Sequence, residues 1–229
     1  MTNIKFIFLF LCSFIFAEEY KIIELSDSKK ELSKEIYKKL EREHYLKKIN
    51  KDDFNEQYLE SIIKKLDESK NLFTEGEVQT YAKKSREFVE EDFDIKLAYE
   101  LINLYFERLI AFFEYKIKLV QDNNFDFTKK EFIDIYDEDN QWQSNLNELK
   151  KLWRLDTKND LLLAKLSDSP SSKPADELLK RYKNRIRRIS QQKEEDIFSL
   201  AINILTNQFD PHSSYLSPRS AEDFDVNMS

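Results

Sequence analysis

Glycine is almost absent from this chain, and its scarcity limits the folds that the chain can adopt. Among 229 residues there is one glycine, Gly76, whereas Phe and Tyr number 18 and 11. Sandwiches, dinucleotide-binding folds and phosphate-binding loops need several residues that tolerate positive φ or close backbone approach. Helix interiors need no such residues. The sequence therefore predicts an all-α fold with a large aromatic core.

The charges are dense and of both signs. Charged residues make up 35% of the chain and give a net charge of −7, a pattern typical of solvated helix faces. This balance argues against nucleic acid as a partner. One basic run, Arg181-Tyr-Lys-Asn-Arg-Ile-Arg-Arg188, is a candidate phosphate-binding strip. Its acidic neighbours favour a solvated helix edge instead.

The N-terminus has the pattern of an export signal. Lys5 precedes an apolar run over residues 6–16, and the small residue Ala17 follows. We interpret residues 1–17 as a signal peptide cleaved after Ala17, with a periplasmic mature protein. Because the run is short and two acidic residues follow it, we expect membrane contact only if the signal stays uncleaved. Cleavage also removes Cys12, the one cysteine, and with it any disulfide or thiolate site.

Apolar residues recur at helical spacing from Ser26 onward and predict about eight helices. Two Thr-x-x-Glu sequences, Thr74 with Glu77 and Thr128 with Glu131, predict capping boxes at helix N-termini. A Ser- and Pro-rich linker covers residues 167–174. The predicted helices cover residues 27–43, 52–68, 74–90, 94–120, 146–166, 174–190 and 194–209, with a short one near the C-terminus.

The segment 94–120 is the most apolar of these helices and is predicted to lie at the centre of the fold. Only a narrow polar stripe interrupts its apolar surface. Such a stripe excludes an ordinary transmembrane span and suits a helix surrounded by others. The stripe consists of Glu100, Asn103, Glu107 and Glu114.

The residues that could carry catalysis form no convincing centre. His44 belongs to a single Glu-x-x-His pair, which is half of a helical di-iron motif. Asp210, His212 and Ser213 or Ser214 supply the residue types of a catalytic triad but lie too close in sequence to adopt its geometry. The carboxylates of the central helix share one face and cannot flank a bound sugar. We therefore predict no catalytic residue, cofactor or metal site on this chain.

The last twenty residues differ in character from the helical part. They begin with a turn-rich loop in which Ser217 can cap a short helix with Pro218 in its first turn. We expect residues 18–209 to form one helical domain and residues 210–229 to form a connector. The connector motif comprises Asp210, Pro211, His212, Ser213, Ser214, Tyr215, Ser217 and Pro218.

Several stretches of the chain resemble the tail-specific proteases, also called carboxy-terminal processing proteases. The resemblance is strongest in residues 181–190, 195–200, 209–219 and 224–229. Shorter upstream sequences, including His44-Tyr45, Asp53-Phe54, Leu66-Asp67, Phe73 and Val78-Gln-Thr-Tyr-Ala-Lys83, are similar to the opening of the family's helical domain.

The resemblance implies a part of an enzyme rather than a whole one. In this family a helical N-terminal domain precedes a peptide-binding PDZ domain and a core with catalytic Ser and Lys, and no residue of this chain matches that Ser or Lys. The implied role is a non-catalytic frame of a serine protease that recognises C-terminal tails. The implied partners are the missing PDZ and protease domains and a periplasmic adaptor protein. The alternative is a stand-alone periplasmic helical adaptor.

Export is predicted to remove residues 1–17, because the apolar run ends there and acidic residues follow. The intact mass of protein from the periplasmic fraction should correspond to a chain that begins at Glu18. A mature protein that still begins at Met1 would show that the segment is an anchor.

Overall fold

The computed structural model describes residues 20–45, 51–87, 93–133, 140–167 and 173–228. These ranges contain eight α-helices and no strand, so the all-α prediction is confirmed. None of these helices is long and apolar enough to cross a membrane. The predicted signal peptide and most of the predicted linker lie outside the described residues. The helices are α1 Asp27–Glu43, α2 Lys51–Leu66, α3 Glu75–Glu87, α4 Lys96–Asp122, α5 Leu146–Leu166, α6 Pro174–Ser190, α7 Glu194–Phe209 and α8 Pro218–Met228.

Local capping accounts for the agreement between predicted and observed boundaries. Ser26 accepts a hydrogen bond from the Lys29 N–H at the start of α1. Thr74 and Glu77 form the predicted capping box, since the Thr74 N–H donates to Glu77 and the Thr74 hydroxyl oxygen accepts from the Glu77 N–H. Asn123 ends α4 in the left-handed conformation that Asn tolerates.

The second predicted capping box, at Thr128 and Glu131, is wrong. Residues 124–133 are not helical. The Thr128 N–H donates to Asp126 at 2.9 Å, and the Glu131 carboxylate instead accepts from Arg154 at 2.8 Å and Lys158 at 2.6 Å, both on α5. Two cations on another helix hold the Glu131 side chain there, so that it does not reach back to cap a helix start.

Helix α4 lies at the centre of the fold, as predicted. It packs against α2, α3, α5, α6 and α7. Its side chains Ala98 and Ile102 are completely buried and Leu101 is almost so. Large rings fill the region where α1, α2 and α7 meet, with Tyr37 stacked on Phe93 at 5.2 Å between ring centroids. This aromatic packing closes the core at one end of α4.

The turn between α2 and α3 is organised by one buried carboxylate, that of Asp67. The carboxylate accepts hydrogen bonds from the backbone N–H groups of Asn71, Leu72 and Phe73 at 2.8 to 3.2 Å. Burial raises the pKa of Asp67 and outweighs the lowering effect of these bonds. The turn leads directly into the capping box of α3. Asp67 thereby sets the direction in which α3 leaves α2.

Replacing Asp67 with Ala should destabilise the fold by at least about 2 kcal/mol, because three backbone N–H groups, two of them buried, would lose their acceptor. The measurement is the urea midpoint of the circular dichroism signal, with an unchanged slope. Glu68→Ala is the matched control, since Glu68 is exposed beside it. Equal midpoints for the two variants would contradict this role of Asp67.

Candidate interaction surface at the C-terminal connector

The connector begins where α7 ends, against the aromatic core. Phe209 is buried, and its ring meets the edge of the His44 ring at 5.8 Å between centroids. Asp210 ends α7, and its backbone N–H donates a hydrogen bond to the Thr206 carbonyl oxygen at 3.0 Å. The Tyr45 hydroxyl donates to the Asp210 carboxylate at 3.2 Å. His44 thus lies at the end of α1 as a half-buried packing residue.

The first residues of the loop bond to their own backbone. One Asp210 carboxylate oxygen accepts from the His212 N–H at 2.9 Å, and the Asp210 carbonyl oxygen accepts from the Ser213 N–H at 3.0 Å. The bond from the His212 N–H is the main reason that the pKa of Asp210 is lowered. Within the described residues, no hydrogen bond joins the His212 imidazole to this carboxylate or to the hydroxyls of Ser213 and Ser214. The arrangement is that of a turn.

The loop then folds back onto α7. Thr206 donates its hydroxyl to the Ser213 carbonyl oxygen at 3.0 Å. The Tyr215 N–H donates to the Asn203 side chain at 2.7 Å, and the Tyr215 ring lies edge-on to Phe198 at 5.5 Å. Burial is the main reason that the pKa of Tyr215 is raised, and the nearby carboxylate of Glu195 raises it further. The connector is therefore fastened to the helical domain as far as Tyr215.

The N-terminal residues fasten to the same side of the domain. Asn103 on α4 is buried, and its amide accepts from the Tyr20 hydroxyl at 2.8 Å and from the Ile23 N–H at 2.9 Å. It also donates to the Ile23 carbonyl oxygen at 3.0 Å. A little further on, the Ser26 N–H donates to Glu194 at 2.7 Å, at the start of α7. We call residues 20–26 the N-terminal strap.

The sequence pattern predicted that Asn103 lies on the polar stripe of α4, but it did not indicate that Asn103 binds the N-terminal strap. The remaining stripe residues have different surroundings. Glu100 pairs with Lys84 at 2.9 Å, Glu107 is exposed, and burial raises the pKa of Glu114. An Asn at a buried helix position is the one signal in the sequence that could have pointed to the strap, because such an amide needs a polar partner.

Beyond Tyr215 the chain leaves the domain and becomes exposed. Ser217 caps α8 as predicted, since its hydroxyl oxygen accepts from the Ser220 N–H at 3.2 Å. Leu216 is 49% exposed, Phe224 52% and Val226 77%. We call these three side chains the connector surface. They carry apolar area that nothing in the described part of the chain covers.

Two comparisons with known proteins place the chain in a family. Residues 36–219 match the family model described as the tail specific protease N-terminal domain. The chain is also 30% identical, over 217 residues, to the Tail-specific protease of Haemophilus influenzae. That alignment covers 92% of this chain and 31% of the relative, so the chain spans less than a third of the relative's length.

Proposed function

The chain belongs to the tail-specific protease N-terminal domain family, and we propose from this membership that it is the non-catalytic helical domain of a periplasmic serine protease. The complete protease would recognise and cleave proteins at their C-terminal tails. The domain would frame the PDZ and protease domains that follow it and carry them on its connector.

The packing of the helical domain supports a framing role. Helix α4 is enclosed by five other helices, and its buried polar side chains all have partners on neighbouring elements. A core of this kind resists deformation because its groups are close-packed and the buried polar side chains of its central helix are satisfied. Such a domain can hold a neighbouring domain at a fixed position.

The geometry of the connector is the observation that carries the proposal. The loop is bonded to α7 at Ser213 and Tyr215 and then presents Leu216, Phe224 and Val226 to solvent. Large apolar side chains left exposed at the end of a domain are candidates for contact with a partner. In the complete protease the connector surface would be covered by the domain that α8 leads into, which would couple that domain to the helical frame.

The purified chain should cleave no peptide with an apolar C-terminus, because it would lack the nucleophile and base of the complete enzyme. A longer product of the same gene that carries a PDZ domain and the Ser/Lys core should cleave such a peptide. The measurement is the release of a fluorescent fragment. Cleavage by the short chain that survives repurification and disappears on His212→Ala would contradict the proposal.

In the longer product, Leu216→Ser combined with Phe224→Ser should lower the cleavage rate about tenfold, because the apolar contact with the next domain is lost. The control is Phe132→Ser with Leu146→Ser, since these two side chains are also exposed but belong neither to the connector nor to the helix α7 onto which it folds. If both double variants keep the full rate, the connector surface does not couple the domains. A gene that ends without protease domains would favour the stand-alone adaptor.

A further inference from the structure

A strongly basic surface covers the outward side of α6. The residues that face inward on this helix are the buried Leu178, Tyr182, Ile186 and Ile189. The remaining positions carry six cations within nine residues, and all six side chains are exposed. They spread over about half of the helix circumference. We call this set the basic strip: Lys180, Arg181, Lys183, Arg185, Arg187 and Arg188.

The basic strip has almost no acidic partners. Arg181 approaches Asp160 of α5 at 3.7 Å. The other five cations form no ion pair with any residue in the described part of the chain. The acidic residues of α6, Asp176 and Glu177, lie in its first turn and precede the strip. The exposure of these side chains agrees with the predicted solvated helix edge. The fold also concentrates their positive charges on one surface of a chain with net charge −7.

A patch of exposed leucines lies beside the start of the basic strip. Leu162, Leu163 and Leu166 near the end of α5 are 39%, 59% and 70% exposed. Their spacing places them on one face of α5. The contact between Asp160 and Arg181 positions this part of α5 next to the first cations of α6. We call these three side chains the leucine patch.

We propose that the outward side of the α5–α6 hairpin binds the surface of a membrane that contains anionic phospholipids. The basic strip would contact the headgroups, and the leucine patch would enter the boundary between headgroups and acyl chains. Clustered Lys and Arg beside exposed apolar side chains are the combination that interfacial membrane binding requires. The chain as a whole is negatively charged and would be repelled by an anionic surface. Its binding there therefore depends on the local concentration of positive charge in the basic strip.

A membrane fits this surface better than nucleic acid or an acidic protein. Single-stranded nucleic acid would need aromatic side chains on which bases can stack, but the one aromatic residue of the strip segment, Tyr182, is buried. An acidic helix would need a groove, whereas the cations spread around a convex helix. Mobile lipid headgroups can reach cations that point in many directions. This membrane contact is additional to any made by the N-terminal signal, and it does not depend on the protease assignment.

The test is flotation of the full chain with vesicles of phosphatidylcholine alone or mixed with phosphatidylglycerol. The N-terminal apolar run contributes to both mixtures, so the difference between them reports on headgroup charge. The wild-type chain should bind the phosphatidylglycerol vesicles more strongly, and added salt should weaken this binding. Changing Lys180, Lys183, Arg187 and Arg188 to Gln should lower the partition coefficient at least about tenfold.

The matched control changes four exposed lysines without described ion pairs, Lys39, Lys65, Lys118 and Lys130, to Gln. It alters the net charge equally and should retain binding. Leu163→Ser with Leu166→Ser should also weaken binding, with helicity unchanged by circular dichroism. Wild-type binding by the strip variant, or an equal loss in the control, would overturn the proposal. A strip variant that loses affinity for polyglutamate beads but keeps its vesicle binding would assign the strip to an acidic protein and would also overturn it.

Discussion

The enclosure of helix α4 is the constraint on which the rest of this structure depends. Three polar residues of α4 are buried, and each is satisfied by a different element. Asn103 binds the N-terminal strap, Arg108 donates to the Leu72 carbonyl oxygen and pairs with Glu77 at 2.5 Å, and Lys116 pairs with Asp156 and Asp160 on α5. Because a buried polar group without a partner costs several kcal/mol, each pair fixes the position of one neighbour relative to α4.

This arrangement explains how one helical domain can present two differently built surfaces. The strap and the connector both fasten to α7, where Ser26 binds Glu194 and Tyr215 binds Asn203. On another part of the domain, Asp160 links α5 to α4 through Lys116 and to α6 through Arg181. The first region leads into the connector surface. The second holds the hairpin that carries the basic strip and the leucine patch.

The sequence predicted the helices well because their signals are local. The starts of α1 and α3 follow from Ser26 and from Thr74 with Glu77, and the sole glycine, Gly76, sits in α3 where a Cβ would meet no atom within 4 Å. The failures come from long-range contacts. Glu131 binds cations on α5, and Asn103 binds a segment 80 residues earlier, which one sequence without its fold does not reveal. The Ser217 cap of α8 was predicted, but the hydrogen bonds from the connector to α7 were not.

The connector is fastened to the helical domain through Tyr215, and the proposed function assigns its remaining apolar side chains to contact with a following domain. Amide hydrogen exchange measures this dependence directly. An isolated helix as short as α8 is marginal in water, so amides from Ser220 to Met228 should exchange fast in this chain. The Tyr215 amide should exchange at an intermediate rate, and those of α4 near Leu101 should exchange slowly. In the longer product of the gene the α8 amides should become protected. Strong protection of α8 in the isolated monomer would contradict this dependence on a further domain.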